Sequence, residues 1–305
     1  MICGKTLEKH KNSRILYIIK NKNKGFMVNT KIKKRGRPST EMNTNEVKRR
    51  GRPSTKLFVS TFNPDEVKLF RGSDLKFSDS LFQPMKTNRE IDTILSTDGG
   101  LMPGTNMVLV GGPGSGKSTI ALDMLSDFTN QGYKCLFVSA EMDEIAHYKY
   151  CKRMPKFQNV QTLFLKNYAN DIKNTIEYIF DLGYDVIAID SIAEVIEMYK
   201  DTYRTTESAA EFWLLNLQDK HKKGGNDSGF YTTFINIQQV TKAGEFAGSN
   251  RLKHMTDGMC HVERNKDDLQ RSLHFSKNRD CDKDFKVYFN IFQDHIHYSY
   301  ETSND

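Results

Sequence analysis

The chain is predicted to fold as an α/β protein with a mainly parallel central sheet, flanking helices, and antiparallel hairpins added towards the C-terminus. Three observations predict it. Between residues 107 and 237, short apolar runs of strand length alternate with helix-periodic stretches. Those runs are apolar throughout, as strands covered by helices on both faces require. After residue 257 the pattern changes to strand-sized segments with no long helix between them, which reads as hairpins.

The elements follow in order. Met107–Val110 is an apolar run, followed by a glycine-rich loop and a helix near Lys117–Asn130. Lys134–Ser139 and Thr162–Leu165 read as the second and third strands. Asn170–Leu182 reads as a helix, with apolar residues at 172, 176, 179 and 180. Val186–Asp190 is a fourth buried strand, followed by helical stretches to about Lys223. Phe230–Ile237 is a fifth strand, and 258–264, 271–277 and 285–291 are the hairpin strands. Ahead of all this, residues 57–84 form a linker of short apolar clusters and turn signals. The α/β domain is expected over 85–298, with 299–305 as a tail.

Charge divides the 305 residues unevenly. Residues 1–56 carry seventeen Lys/Arg against three Asp/Glu, whereas the rest of the chain is net acidic. This arm is too polar to bury the apolar surface that would offset chain entropy, so disorder is expected there. A basic arm on an acidic globule suits a polyanion partner. The apolar patch Ile15–Ile19 is too short, and too closely flanked by Lys and Asn, for a secretory signal. No run reaches membrane-spanning length, so no membrane association is expected. The five cysteines are scattered without a CxxC pair, which speaks against a disulfide framework or a zinc site and for a reducing compartment. Met27 offers a second candidate start.

The segment Gly111-Gly112-Pro113-Gly114-Ser115-Gly116-Lys117-Ser118-Thr119 fits G-x-x-x-x-G-K-[ST], with an apolar strand before it and a helix after it. Glycines let the backbone wrap around phosphates, so that consecutive N–H groups and the helix N-terminus face the anion. Lys117 would reach the β- and γ-phosphates of ATP, and Ser118 would ligate Mg²⁺. Asp190 ends a buried strand, at the sheet edge where such folds bind ligands, and is the expected second Mg²⁺ carboxylate. The plain alternative is an N-cap for the following helix, which Asp190-Ser191 would serve, and both can hold together. Glu141 follows the second strand and should reach the same edge, where a carboxylate can deprotonate water. The plain alternative is a surface Glu in the first turn of a helix.

These residues resemble a known family. Ile91–Gly104, the glycine-rich loop, Phe137–Glu141, Asp190-Ser191-Ile192, Val240–Gly244 with Ala247-Gly248, Leu252–Asp257 and Lys277-Asn278-Arg279 resemble the ATPase core of the RadA/Sms proteins. Those are DnaB-like ring motors with a RecA-like P-loop NTPase fold that assist recombination. The resemblance spans about residues 85–293. It implies that Glu141 is the catalytic base, and that Gln239 senses the γ-phosphate where the family usually has His. It implies that Lys242 through Arg251 form a loop facing DNA in a central channel. It also implies that Lys277 and Arg279 reach into the neighbouring subunit's ATP site. On spacing alone, Lys277 and Arg279 are equally a pair of solvated charges on an edge strand. The family's four-cysteine module and its protease-like C-terminal domain find no counterpart in the sequence, and Asp280-Cys281 replaces the Phe-Gly pair that usually follows K-N-R.

The arm adds a second motif. Arg35-Gly36-Arg37-Pro38-Ser39-Thr40 recurs as Arg50-Gly51-Arg52-Pro53-Ser54-Thr55 and resembles the AT-hook. An extended Arg-Gly-Arg core is slim enough for the narrow minor groove of A·T-rich DNA, whose negative potential attracts guanidinium groups. Two linked copies gain avidity, although a generic basic tail has the same composition. His295 and His297 alternate on a probable strand and are read as surface residues rather than metal ligands. Trp213 and its neighbours read as a packed helix face.

The expectation is therefore a DNA-dependent ATPase that acts in recombination, repair or replication. It would be an oligomeric motor, hexameric by resemblance, on single-stranded or branched DNA in the cytoplasm (the bacterial nucleoid or a phage-infected host). The alternatives are a DnaB-type helicase, a strand-exchange recombinase, and an ATP-binding switch or scaffold tethered to DNA.

Overall fold

The computed structural model describes residues 63, 65, 67–225, 229–240, 248–265, 270–281 and 285–300. The basic arm with Arg35, Arg37, Arg50 and Arg52, and the loop residue Lys242, lie outside the described residues. The chain divides into two compact units, Met1–Lys68 and Leu69–Asp305, and every element below belongs to the second.

One nine-stranded sheet organises that unit. Its strands are β1 (Asn106–Gly111), β2 (Cys135–Ser139), β3 (Gln161–Phe164), β4 (Val186–Asp190), β5 (Thr233–Gln239), β6 (Gly258–Arg264), β7 (Arg271–Asn278), β8 (Lys286–Ile291) and β9 (Ile296–Tyr300). They lie in the order β3-β2-β4-β5-β1-β6-β7-β8-β9. All pairs from β3 to β6 are parallel, and β6 through β9 are antiparallel. The helices are α1 (Asp92–Leu95), α2 (Lys117–Asn130), α3 (Glu144–Arg153), α4 (Ile172–Asp181), α5 (Ile192–Tyr203), α6 (Glu207–Lys222) and α7 (Asn250–Met255).

The expected α/β architecture is present, with two adjustments. First, β6 is not simply a hairpin strand: it runs parallel to β1 on one side and antiparallel to β7 on the other. The crossover through α7 brings the chain back to the same end of the sheet, so the switch to hairpins begins one strand later. Second, helix α3 has no clear apolar stripe, because Ile145 and Tyr148 are exposed while His147 and Cys151 are buried. Its start is set by Asp143, whose carboxylate accepts from Ala146 N at 2.7 Å.

The two sheet faces hold two cores, as continuous apolar strands require. Leu109, Phe137, Ala188 and Ile235 pack with Ile120, Leu125 and Phe128 of α2 on one face. Val110, Val138, Ile189 and Phe234 pack with Ile176, Val195 and Leu214 of α4, α5 and α6 on the other. A closed triangle of amides replaces apolar packing beneath β1 and β5. Asn106 donates to Gln218 at 3.1 Å, Gln218 to Asn236 at 2.8 Å, and Asn236 back to Asn106 at 2.8 Å. Each buried amide is thereby satisfied.

Candidate nucleotide site

The strand order reverses direction at β1. The chain leaves β1 for strands on one side and later returns to add β6 on the other. Open α/β sheets bind ligands at that switch point, beyond the carboxyl ends of the strands. The loop Gly111–Gly116 sits there, between β1 and α2.

Glycine is required at two positions of the loop by space and by backbone. A Cβ on Gly111 would lie 2.3 Å from Val262 O. Gly116 has φ 112° and would place a Cβ 3.0 Å from Ile291 Cδ1. Lys117 is buried, and its Nζ donates to Gly111 O at 2.8 Å and Gly112 O at 2.9 Å. Its ammonium is thus held across the loop it serves. Burial lowers the Lys117 pKa, and Asp190 and Glu141 oppose that shift.

Register brings the other predicted residues to the same edge. Ser139 pairs with Asp190, and Gly111 pairs with Gln239. Asp190 is buried, and desolvation pushes its carboxyl up to about 6. A hydrogen bond from Ser118 and the charge of Lys117 pull it down, while Glu141 pushes it further up. The helix-cap role considered for Asp190 belongs to Ser191, whose hydroxyl accepts from Glu194 N. Glu141 is exposed and precedes α3, so it is not a first-turn residue of that helix. Its N–H and that of Ala140 both donate to Asp190 O, which ties the ends of β2 and β4 together. Gln239 is exposed at the end of β5, beside Gly111.

Beside the loop lies a cavity of about 300 Å³, walled by Lys117, Ser118, Tyr150, Arg153, Arg271 and Ile291. Arg153 lies over the Tyr150 ring at 5.1 Å. Sequence reading missed Tyr150, Arg153, Arg271 and Ile291. They come from α3, β7 and β8, and no spacing links the α3 pair to Arg271 or Ile291. Two buried polar atoms here, Ser115 Oγ and Arg271 Nε, have no hydrogen-bond partner in the protein. Unpartnered donors in the loop and the cavity wall, glycines that a Cβ would obstruct, and a lysine among main-chain carbonyls fit a nucleotide polyphosphate. The linked Ser118 hydroxyl and Asp190 carboxylate are hard oxygen donors that fit Mg²⁺.

Lys277 and Arg279 are elsewhere. Gly258 pairs with Asn278 on β7 and with Met107 at the start of β1. Both cations therefore sit at the end of the sheet opposite the loop, out of reach of the chain's own phosphate site. Lys277 Nζ donates to Lys253 O at 2.7 Å and to Thr256 O, and Arg279 pairs with Asp257 at 2.9 Å. Arg251, on α7, donates to Ser208 O at 3.2 Å and lies 5.1 Å from the Phe212 ring centre. Trp213 packs as expected, stacked on Tyr199 at 4.2 Å. His295 pairs with Asp294, and no His/Cys/Asp/Glu group suited to a metal occurs among the described residues. Nor is any described helix long and apolar enough to cross a membrane.

Sheet order, loop and strand-end carboxylates give the chain's core the architecture of a P-loop NTPase with a RecA-like fold. Comparison with known proteins shows what this core is similar to. A family model described as "ATPase: KaiC" matches residues 86–162. The core is similar to the DNA repair protein RadA of Chlamydia muridarum, with 32% identity over 186 residues, covering 59% of this chain and 38% of that one. It is similar to RadA of Campylobacter jejuni at 29% over 192 residues, covering 63% and 41%. The chain thus spans about two fifths of these relatives. Among solved structures, it shares its fold with the KaiC-like protein PH0186 of Pyrococcus horikoshii (TM-score 0.53, 17% identity, 71% of this chain and 99% of that one). The flagellar accessory protein FlaH of Methanocaldococcus jannaschii is similar too, with TM-score 0.52 at 12% identity, covering 71% and 99%.

Proposed function

We propose that this chain is a DNA-dependent ATPase of the RadA type, an oligomeric motor that acts on single-stranded or branched DNA in recombination and repair. One observation carries the reading. Lys117, Asp190, Glu141 and Gln239 meet at one end of the sheet, while Lys277 and Arg279 stand at the other. That separation keeps Lys277 and Arg279 from the chain's own phosphate site, and the likeness to RadA supports assigning them to the site of a neighbouring copy in a ring of like-oriented subunits.

In that assembly Glu141 takes a proton from water as its oxygen attacks the terminal phosphorus, and the bond from phosphorus to the ADP oxygen breaks. Lys117 and the loop N–H groups hold the phosphates, and Gln239 contacts the γ-phosphate. Ser118 and Asp190 would hold Mg²⁺, which would supply charge neutralisation at the phosphate oxygens. Lys277 and Arg279 of each subunit neutralise charge at its neighbour's site. Lys242 and Arg251 face DNA, and the arm's Arg35, Arg37, Arg50 and Arg52 enter A·T-rich minor grooves. The names of the RadA relatives support the repair context.

The test is steady-state phosphate release with and without single-stranded DNA, with Lys117→Ala as the blank. DNA stimulation that the variant abolishes is the expected result. Slow turnover indifferent to DNA would make the protein a switch instead. Deleting residues 1–56 should weaken DNA binding at moderate salt, make the remaining binding less salt-dependent, and leave basal hydrolysis intact.

A further inference from the structure

We infer that Asp257 is a positioning residue for catalysis in trans. Together with the last turn of α7, it forms a rigid mount that presents Arg279 and Lys277 to the neighbouring subunit. The inference rests on the reading of those two cations given above, and adds what holds them in place.

Asp257 lies between α7 and β6 and is itself buried. Its Oδ1 accepts from Arg279 Nη1 at 2.9 Å. Its Oδ2 accepts from Lys222 Nζ at 2.7 Å and from Asn106 N at 2.9 Å. Its main chain adds two bonds: Arg279 N donates to Asp257 O at 3.1 Å, and Asp257 N to Asn106 O at 2.7 Å. One residue therefore ties the end of β7 to the first residue of β1 and the last turn of α6. The guanidinium is anchored to the centre of the sheet rather than to its mobile-length side chain alone.

Exposure shows which way the group faces. The Asp257 side chain is 11% exposed and that of Arg279 is 58% exposed. The carboxylate grips one nitrogen of the fork and leaves the rest of it accessible. Lys222 takes the second oxygen, so one carboxylate serves two cations, with Asp280 close enough to interact with all three groups. Two residues earlier, Lys277 Nζ sits on the Lys253 and Thr256 carbonyls, at the α7 end where unpaired C=O groups attract a cation. Held this way, both charges need little reorganisation when a phosphoryl group is presented.

Asp257→Asn tests the mount. The amide keeps an acceptor oxygen for Asn106 N but loses the charge that holds Arg279. Turnover should fall at least about tenfold, with the Kd for a fluorescent ATP analogue changed less than about twofold, because positioned charge acts on the transition state. Asp257→Asn combined with Arg279→Ala should be no slower than Arg279→Ala alone. Mixed one to one with Lys117→Ala, the Asp257→Asn chain should recover to about a quarter of wild-type turnover. That is the share of random interfaces pairing an intact loop with an intact mount, for groups that act as one unit. If the variant folds poorly with Lys222 left unpaired, Asp257→Asn with Lys222→Met removes that buried charge and is put through the same mixing.

Wild-type turnover in Asp257→Asn, a further loss in the double variant, or a mixture no faster than its parents would each overturn the mount. If the last result appears while Arg279→Ala mixed with Lys117→Ala does recover, the trans reading stands and only the mount fails. Wild-type turnover in Arg279→Ala would overturn both.

Discussion

The parallel part of the sheet and its antiparallel flank are built on different rules. In the parallel part, every strand from β2 to β5 runs the same way as β1, so their carboxyl ends share one edge. Whatever polar residue ends each strand arrives at the same place: the loop after β1, Glu141 after β2, Asp190 of β4, Gln239 of β5. In the flank, strand direction alternates, and polar residues are delivered to both ends. Arg271 reaches the cavity beside the loop, while Lys277 of the same strand and Arg279 just beyond its end reach the far end. Parallel strands concentrate chemistry at one edge, and antiparallel strands distribute it to both.

The largest expected effect belongs to the parallel edge. Glu141→Gln should slow ATP hydrolysis by roughly 10²–10⁴-fold in single-turnover assays while retaining nucleotide binding, as loss of a general base does. Equal loss of binding would mean that Glu141 holds the loop rather than the water, and the contrast between concentrated and distributed chemistry would weaken.

Asp190→Asn separates chemistry from stability at the same edge. Burial raises the Asp190 pKa from 3.8 to about 6, so the folded protein binds this proton more tightly than the unfolded chain. The group's stabilising contribution is full below about pH 4 and lost as pH rises through about 6. The substitution should therefore stabilise the fold at pH 7, by on the order of 3 kcal/mol if the whole shift is relieved. The gain should shrink as pH falls towards 4, while Mg²⁺-dependent hydrolysis is lost. Denaturant melts across pH 4–8 would show it, and a pH-independent change would break the assignment.

The smallest effect lies where the two regions meet. Tyr298 of β9 donates to Asp123 of α2 at 3.1 Å, and Arg89 and Lys156 pair with the same aspartate. Arg89 also lies 4.7 Å from the Tyr298 ring centre. Asp123 and Tyr298 are both buried, so this cluster fastens the last strand of the flank to the helix that carries the loop. Tyr298→Phe should cost about 2 kcal/mol, the net worth of one buried hydrogen bond to a charged group, with turnover unaltered. A loss of turnover instead would mean that the flank controls the loop through this contact.

What the amino-acid sequence determines by itself is local. The glycine loop, the apolar strand before it and the helix after it are contiguous, and so are the strand-end Asp190 and the residues leading to Glu141. Their chemistry could be read because strand-to-loop-to-helix order places them, whatever the details of packing. The family resemblance pointed to Lys277 and Arg279, but their position at the far edge follows only from the pairing of β7 with β6 and of β6 with β1. The α3 pair Tyr150 and Arg153 carries no sequence signal that joins it to Arg271 and Ile291, since Tyr150 and Ile291 are 141 positions apart along the chain. Asp257 reads as nothing more than a polar residue between a short helix and a strand. Its five hydrogen bonds exist because β1, α6 and β7 end at one point, and only tertiary register brings those ends together.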